Sequence, residues 1–192
     1  MVQEKPVFTE TTFADVKKDD WHYESVRYVY ENNLMQGTEI GFEPDRKMTR
    51  AMLVTVLFRM TNPEKSEYKH NFEDVAEETW YSDAVSWAAS EGIVCGVSDT
   101  EFAPDEEITR EQLVLIFCRY GKMCGLDTSD MADISEFSDA GDVSEWAKDA
   151  ISWAIKTELI QGTDKNVILP GDFATRAQVA TIITRFCRSL MF

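Results

Sequence analysis

The sequence is poor in positive charge. It has 19 Lys and Arg residues against 35 Asp and Glu residues, and its formal net charge is −16 at pH 7. A protein this acidic repels nucleic-acid phosphates and an anionic bilayer alike. We therefore expect no nucleic acid among its partners.

Long apolar runs and an export signal are also missing. No window approaches the roughly 18 uninterrupted apolar residues of a membrane helix, and the first residues have no apolar stretch behind their charge. We expect no membrane insertion. If the protein is exported, its signal peptide lies outside this sequence.

Metal ligands and catalytic groups are scarce. The two histidines, His22 and His70, and the four cysteines form no pattern of a zinc site. The acidic run from Asp127 to Glu136 lacks the every-second-residue ligands and the central glycine of a calcium loop. We interpret it as a solvated connector, with weak calcium binding as the alternative. The sequence predicts no resident metal, no cofactor and no enzyme, because no nucleophile stands with a base and no carboxylate pair marks a cleft.

The cysteines leave two possibilities open. A chain of 192 residues does not need the disulfides of a small secreted domain, so free thiols are the ordinary interpretation. Cys118 and Cys187 lie in apolar, helix-like runs, where a buried thiol is typical. Some disulfide pairing among Cys95, Cys118, Cys124 and Cys187 is the alternative.

What the sequence does contain is a threefold repeat. Each copy has, in the same order, an aromatic residue two before an aspartate, a tryptophan, a glycine, a proline and a Thr-Arg pair. The copies read Phe13, Asp15, Trp21, Gly37, Pro44, Thr49, Arg50; then Phe72, Asp74, Trp80, Gly96, Pro104, Thr109, Arg110; then Phe137, Asp139, Trp146, Gly162, Pro170, Thr175, Arg176. Such recurrence predicts a repeat architecture.

The repeats span residues 13–60, 72–120 and 137–186, and the connectors 61–71 and 121–136 are too short to separate independent domains. We therefore predict one composite domain over residues 1–192. Within each copy, an amphipathic segment and a more uniformly apolar segment flank an irregular middle, which predicts helix-loop-helix units. Because no unit can bury a face alone, the sequence predicts an all-α fold with three units packed about a pseudo-threefold axis.

The Thr-Arg pair predicts the start of each second helix. Thr49, Thr109 and Thr175 are good N-caps. Three residues later stand Met52, Gln112 and Gln178. Glutamine completes a capping box with the threonine, whereas methionine cannot. The second and third repeats should therefore have the better-defined helix start.

Capping explains the threonine but not the arginine. Arg50, Arg110 and Arg176 would occupy the first helical position, where the helix dipole disfavours a cation by roughly 0.3–1 kcal/mol. One explanation is structural, with each arginine paired to an Asp or Glu of a neighbouring repeat. The other is functional, because free first-turn amides and a guanidinium together bind a carboxylate or phosphate.

The tryptophans have a similar ambiguity. Trp21, Trp80 and Trp146 stand at helical spacing from apolar residues, which is typical of core. Aromatic rings beside polar donors also hold sugar rings, so exposure near the Thr-Arg pair would favour a binding role. Trp87 and Trp153 are expected to pack between helices.

With these motifs, residues 13–186 resemble three tandem S-layer homology motifs. The second copy shows the pattern most fully, as Phe72-Glu-Asp-Val, Gly96-Val-Ser-Asp-Thr-Glu-Phe-Ala-Pro104 and Thr109-Arg-Glu-Gln112. The resemblance implies a trefoil-like all-α assembly with grooves between repeats. It also implies an extracellular module on the bacterial cell surface that binds, without covalent attachment, an anionic and often pyruvylated secondary cell-wall polysaccharide.

The resemblance assigns ligand binding to particular residues. It places Arg50, Arg110 and Arg176 in the grooves. Trp21, Trp80, Trp146, Gly37, Gly96 and Gly162 are weaker assignments of the same kind. A fused or associated surface protein is a further implied partner.

This sequence departs from the family pattern at the fourth position of the Thr-Arg motif, where Met52, Gln112 and Gln178 replace the usual Glu. The third repeat also has an altered loop, Lys165-Asn-Val-Ile. Three copies of the pattern do not guarantee three working sites. A protein-interaction module that has lost glycan binding is therefore the alternative function.

Overall fold

The computed structural model describes residues 5–64 and 68–190. Within them the regular structure is helical, with isolated bridges in place of strands, which confirms the predicted all-α class. The helices are α1 (Tyr23–Glu31), α2 (Arg50–Thr61), α3 (Ser82–Ser90), α4 (Arg110–Met123), α5 (Lys148–Lys156) and α6 (Arg176–Arg185). A π-helical turn, Phe186–Leu190, extends α6. No helix among the described residues is long and apolar enough to cross a membrane.

Each repeat contributes two helices, and the second helix of every repeat starts at the arginine of its Thr-Arg pair. The equivalent starts predicted from the repeat are therefore confirmed. Helix α4 ends at Met123, so it runs three residues into the segment 121–136 that the sequence predicts as a connector. Packing of the three repeats about a pseudo-threefold axis stays a prediction.

The first helix of each repeat is followed, two residues after its end, by a residue with left-handed backbone. Gly92 has φ +67° after α3, and Asn33 has φ +58° after α1. Both residue types tolerate this conformation. Glu158 takes the same conformation after α5, with φ +57°, although its side chain does not favour it. The repeat therefore imposes this chain reversal even where the local sequence opposes it.

The chain forms two compact units. One contains the described residues up to Met48 together with those from Thr175 on, and the other contains the described residues from Thr49 to Ala174. In the first unit α1 packs against α6. In the second unit α2 packs against α3, and α4 packs against α5. The second helix of each repeat thus packs against the first helix of another repeat.

The second helices supply much of each core, as their apolar character predicts. Leu53, Leu113 and Val179, which follow the Thr-Arg pairs at equivalent positions, are fully buried. Trp87 and Trp153 are about 1% exposed, which confirms that they pack between helices. The structure forms no disulfide among the described cysteines, Cys95, Cys118, Cys124 and Cys187. Cys118 is buried as expected, while Cys187 is half-buried and Cys95 is exposed.

The interpretation that the first tryptophan of each repeat belongs to the buried core is wrong. Trp21, Trp80 and Trp146 are 67%, 61% and 52% exposed. The helices begin two residues later, at Tyr23, Ser82 and Lys148. Trp21 and Trp80 therefore precede the helix, and Trp146 lies in a short 3-10 turn, Glu145–Ala147, that leads into α5. The three indoles do not share the phase of the buried helix face.

Candidate functional site

The candidate site is the set of three helix starts at Thr49-Arg50, Thr109-Arg110 and Thr175-Arg176, which we call the Thr-Arg corners. Each threonine caps its helix by accepting the backbone N–H three residues later at 3.3 Å. Gln112 and Gln178 accept the backbone N–H of Thr109 and Thr175 in return, at 3.2 and 3.1 Å. The capping boxes of the second and third repeats are confirmed, and the corner at Thr49 lacks the reciprocal bond.

The backbone N–H groups of the first two helical residues in each corner already donate hydrogen bonds to backbone carbonyls. In the first corner the N–H of Arg50 donates to Glu106 O and that of Ala51 donates to Pro104 O, both at 2.9 Å. The corresponding bonds are Arg110 N to Asp172 O, Glu111 N to Pro170 O, Arg176 N to Arg46 O and Ala177 N to Pro44 O, at 2.8–3.0 Å. A site built from free first-turn amides is therefore excluded in all three corners.

The guanidinium groups of Arg50 and Arg176 bind the loop of another repeat. Arg50 donates from Nε to Phe102 O at 2.8 Å and from Nη2 to Cys95 O at 2.9 Å, and its guanidinium carbon lies 4.6 Å from the centre of the Phe102 ring. Arg176 repeats this with Phe42 O at 2.7 Å and Gln36 O at 2.7 Å. Both arginines are 7% exposed. They tie a helix start to a glycine loop, and their acceptors are backbone carbonyls instead of the expected carboxylates.

Arg110 is held less completely. Its Nε donates to Ile168 O at 2.8 Å, but Ile168 offers no aromatic ring to the guanidinium. Among residues 5–64 and 68–190, no hydrogen-bond acceptor engages Nη1 or Nη2 of Arg110, whereas Nη2 is engaged in the other two corners. Arg110 is also partly exposed, while its two counterparts are buried. This corner alone combines a free guanidinium edge with solvent access.

Burial lowers the pKa of each of these three arginines. Nearby carboxylates oppose that shift, from Glu106 and Asp74 at Arg50 and from Asp172 and Asp139 at Arg110. A guanidinium stays protonated in proteins. Each corner therefore holds a buried or half-buried positive charge with partial compensation.

The motif aspartates hold the same loops from the other side, a role that the sequence did not reveal. Asp74 accepts the backbone N–H groups of Phe102 and Ala103 at 2.8 and 2.7 Å. Asp15 and Asp139 make the equivalent bonds in the other repeats. Ala103 has φ +58° just before a proline, a conformation that costs a non-glycine residue about 1–2 kcal/mol. The paired amide bonds keep the loop in this strained shape.

Packing explains why each of these loops has a glycine at the same position. A Cβ on Gly37, Gly96 or Gly162 would overlap the edge of the motif phenylalanine, which is Phe13, Phe72 or Phe137 respectively. The absent side chain lets the ring close over the loop. The glycines therefore shape the loop that the arginine binds, and a direct contact of theirs with ligand stays a prediction.

The exposed tryptophans differ in their surroundings. Glu111, the residue after Arg110, accepts hydrogen bonds from Ser144 N and Oγ at 3.0 Å, two residues before Trp146. Ala51 and Ala177 at the equivalent positions cannot accept such bonds. The ring contacts of Trp21 and Trp80 with described residues are with their neighbours His22 and Tyr81. The structure therefore ties the segment just before Trp146, at Ser144, to a Thr-Arg corner.

Comparison with known proteins identifies the repeat. The family model of the S-layer homology domain matches residues 12–51, 71–114 and 136–180. These three stretches contain the motif aspartate, the tryptophan, the glycine loop and the Thr-Arg corner of every copy.

Several curated proteins are similar over nearly the whole chain. "Exoglucanase XynX" of Acetivibrio thermocellus is 31% identical over 90% of this chain and 16% of that protein. "Endoglucanase" of Bacillus sp. (strain KSM-635) is 32% identical over 90% of this chain and 18% of its own. "Surface-layer 125 kDa protein" of Lysinibacillus sphaericus is 31% identical over 94% of this chain and 15% of its own. The chain thus spans less than a fifth of these relatives.

Proposed function

Since the chain belongs to the S-layer homology domain family, we propose that it is a non-covalent anchoring module of the bacterial cell surface. Its partner in this proposal is an anionic secondary cell-wall polysaccharide, bound at the Thr-Arg corners. The protein it anchors would be fused to it or associated with it. It acts outside the cell.

The relatives support anchoring over catalysis. Their names range from exoglucanase and endoglucanase to surface-layer protein, and the part they share with this chain is less than a fifth of each. A segment shared by two glucanases and a surface-layer protein is not accounted for by the catalytic names alone. We infer that the task of this segment is attachment to the surface and that it has no catalytic activity.

The observation that carries the proposed binding site is the free guanidinium edge of Arg110. A planar fork with two unengaged nitrogens matches a carboxylate, and such charge-assisted pairs are stronger than neutral hydrogen bonds. A pyruvyl substituent on a sugar provides that carboxylate. Arg110 is therefore the primary contact that we propose, with the exposed Trp146, two residues after the Ser144 that Glu111 binds, as the accompanying aromatic surface.

The overall charge limits where an anionic polymer can bind. A net charge of −16 repels it at long range. The attraction of one arginine extends about 8 Å at physiological salt. Binding therefore requires close contact at the corner, and adding salt should weaken the repulsion more than the contact.

A second function is favoured by the other two corners. Arg50 and Arg176 are buried and engaged by backbone carbonyls, so their role in holding the fold needs no ligand. If Arg110 serves the same purpose, the exposed Trp21, Trp80 and Trp146 become contacts for another protein. The module would then assemble proteins without binding glycan.

Calorimetric titration with purified wall polysaccharide, before and after removal of its acidic substituents, tests the proposal. We expect binding of the intact polymer and a loss of at least about tenfold in affinity, or about 1.4 kcal/mol, when the acid is removed. Equal affinity for both polymers would contradict recognition of the carboxylate. No binding of either polymer would favour the protein-interaction module.

A further inference from the structure

The second repeat contains a cavity that is separate from the Thr-Arg corners. Its volume is about 590 Å³, and it lies between the chain leading into the repeat and the start of α3. The residues that line its floor and walls include Tyr68, His70, Phe72, Val75, Ser82 and Ser86. A volume in this range is typical of small-molecule sites.

The first repeat has an aromatic side chain at the position that corresponds to Ser82. Tyr23 is the first residue of α1, as Ser82 is the first residue of α3. The ring of Phe8 lies 5.5 Å from that of Tyr23 and 5.9 Å from that of Tyr30. The second repeat therefore has a much smaller side chain than the first at this lining position of the cavity.

In the third repeat, the incoming chain bonds to the middle of α5. Ala132 N donates to Ser152 O at 3.1 Å, which brings the preceding chain onto α5. Ser152 corresponds to Ser86 of α3. Among the described residues of the second repeat, the incoming chain bonds to the far end of α3, where Ser90 Oγ donates to Lys69 O at 3.3 Å. Several of the side chains that line the cavity, including Ser82, also differ from those at the equivalent positions of the other two repeats.

The hydrogen-bonding groups of the cavity suit hydroxyl groups. Ser82 Oγ and Ser86 Oγ donate to Thr79 O and Ser82 O, and each keeps lone pairs that accept. His70 Nδ1 accepts the backbone N–H of Phe72 at 3.0 Å, so the neutral ring carries its proton on Nε2 and donates there. A ligand that both donates and accepts at neighbouring positions satisfies this mixture.

The charges of the cavity select against anions. Glu77, Glu78 and Asp83 line it, against the single Lys69 and the titratable His70. Like charges at a binding site oppose association. The apolar surface of the cavity comes from Val75 and from the rings of His70 and Phe72, which stack with their centres 5.6 Å apart.

We propose that this cavity binds an uncharged sugar unit, a hexose or an N-acetylhexosamine. The site is independent of the Thr-Arg corners, which are proposed to bind a negatively charged group. The two sites would take different chemical units.

Nuclear magnetic resonance titration of the whole chain tests the proposal with glucose, N-acetylglucosamine and glucuronate as separate probes. We expect at least one of the two uncharged sugars to shift amide signals of residues 68–86 with an affinity in the millimolar range. Glucuronate should bind at least about threefold more weakly, because carboxylates line the cavity. No shift there from either uncharged sugar at about 50 mM would overturn the proposal, as would equal binding of glucuronate.

The substitution Ser82→Tyr places the first repeat's residue in the cavity. It should weaken the binding of the uncharged sugar at least about tenfold. As the control, Lys148→Tyr introduces the same tyrosine at the equivalent exposed position of α5 and should leave that binding unchanged. Unaltered binding by Ser82→Tyr would overturn the proposal. If that variant does not fold, the titration of the wild-type protein tests the proposal by itself. Since no wall polysaccharide is used, failure at the Thr-Arg corners cannot be mistaken for failure here.

Discussion

Replacing Arg50 by lysine separates a structural arginine from a ligand-binding one. Arg50 makes two charge-assisted hydrogen bonds to loop carbonyls and lies over the Phe102 ring. A lysine ammonium reaches one of those carbonyls and cannot stack as a planar group. The lost bond is worth about 1.5–3 kcal/mol, and the lost ring contact adds about 0.5–1 kcal/mol.

We therefore expect Arg50→Lys to lower the free energy of unfolding by about 2–4 kcal/mol. Urea unfolding followed by far-ultraviolet circular dichroism measures this change. The control is Arg27→Lys, which makes the same change at an exposed arginine paired with Glu24 and Glu31 and should cost under about 0.5 kcal/mol. Equal unfolding curves for the two variants would refute the structural role of Arg50.

Three other predictions follow from the same contacts. Thr109→Ala should cost about 1 kcal/mol and Thr49→Ala less in urea unfolding, because the capping box is complete at Thr109 alone of the two; equal costs would contradict the capping argument. Exposed Cys95 should react first with a thiol reagent in the native protein, and Cys118 last, because Cys118 is buried and burial raises its pKa; the reverse order, by mass spectrometry of labelled peptides, would contradict the burial. Gly162→Ala should destabilise by more than about 1 kcal/mol in thermal unfolding, because its Cβ would overlap the Phe137 ring, whereas Gly141→Ala meets open space and should be tolerated.

The sequence was sufficient to predict the parts of the fold that are local. Helix starts at Thr49, Thr109 and Thr175 follow from capping chemistry within four residues, and the missing box at Met52 follows from one side chain. The burial of Trp87 and Trp153 follows from helical spacing. These features depend on neighbours along the chain, which a single sequence displays.

The partners of the arginines could not be predicted, because they depend on which repeats meet. Arg50 binds a loop about 50 residues later, and Arg176 binds one about 130 residues earlier. The same distance along the chain hid the role of Asp15, Asp74 and Asp139. Their repetition was the available signal, since a residue that recurs with every glycine loop is expected to serve that loop.

The tryptophans show how a small error in helix phase changes a functional interpretation. Placing Trp21 inside the helix put it on the buried face, whereas α1 begins at Tyr23 and the indole is exposed. Helix boundaries shift by one or two residues easily. At an element end, such a shift decides whether an aromatic side chain is core or available to a ligand.

The most direct test of the central claim compares Arg110→Lys with Arg50→Lys in calorimetric titration with intact wall polysaccharide, under conditions where both variants are folded. The free guanidinium edge of Arg110 predicts a loss of at least about tenfold in affinity for Arg110→Lys, with little change in unfolding. Arg50→Lys should retain near wild-type affinity despite its lower stability. Wild-type affinity in Arg110→Lys, or equal losses in both variants, would contradict the assignment of the binding site to Arg110.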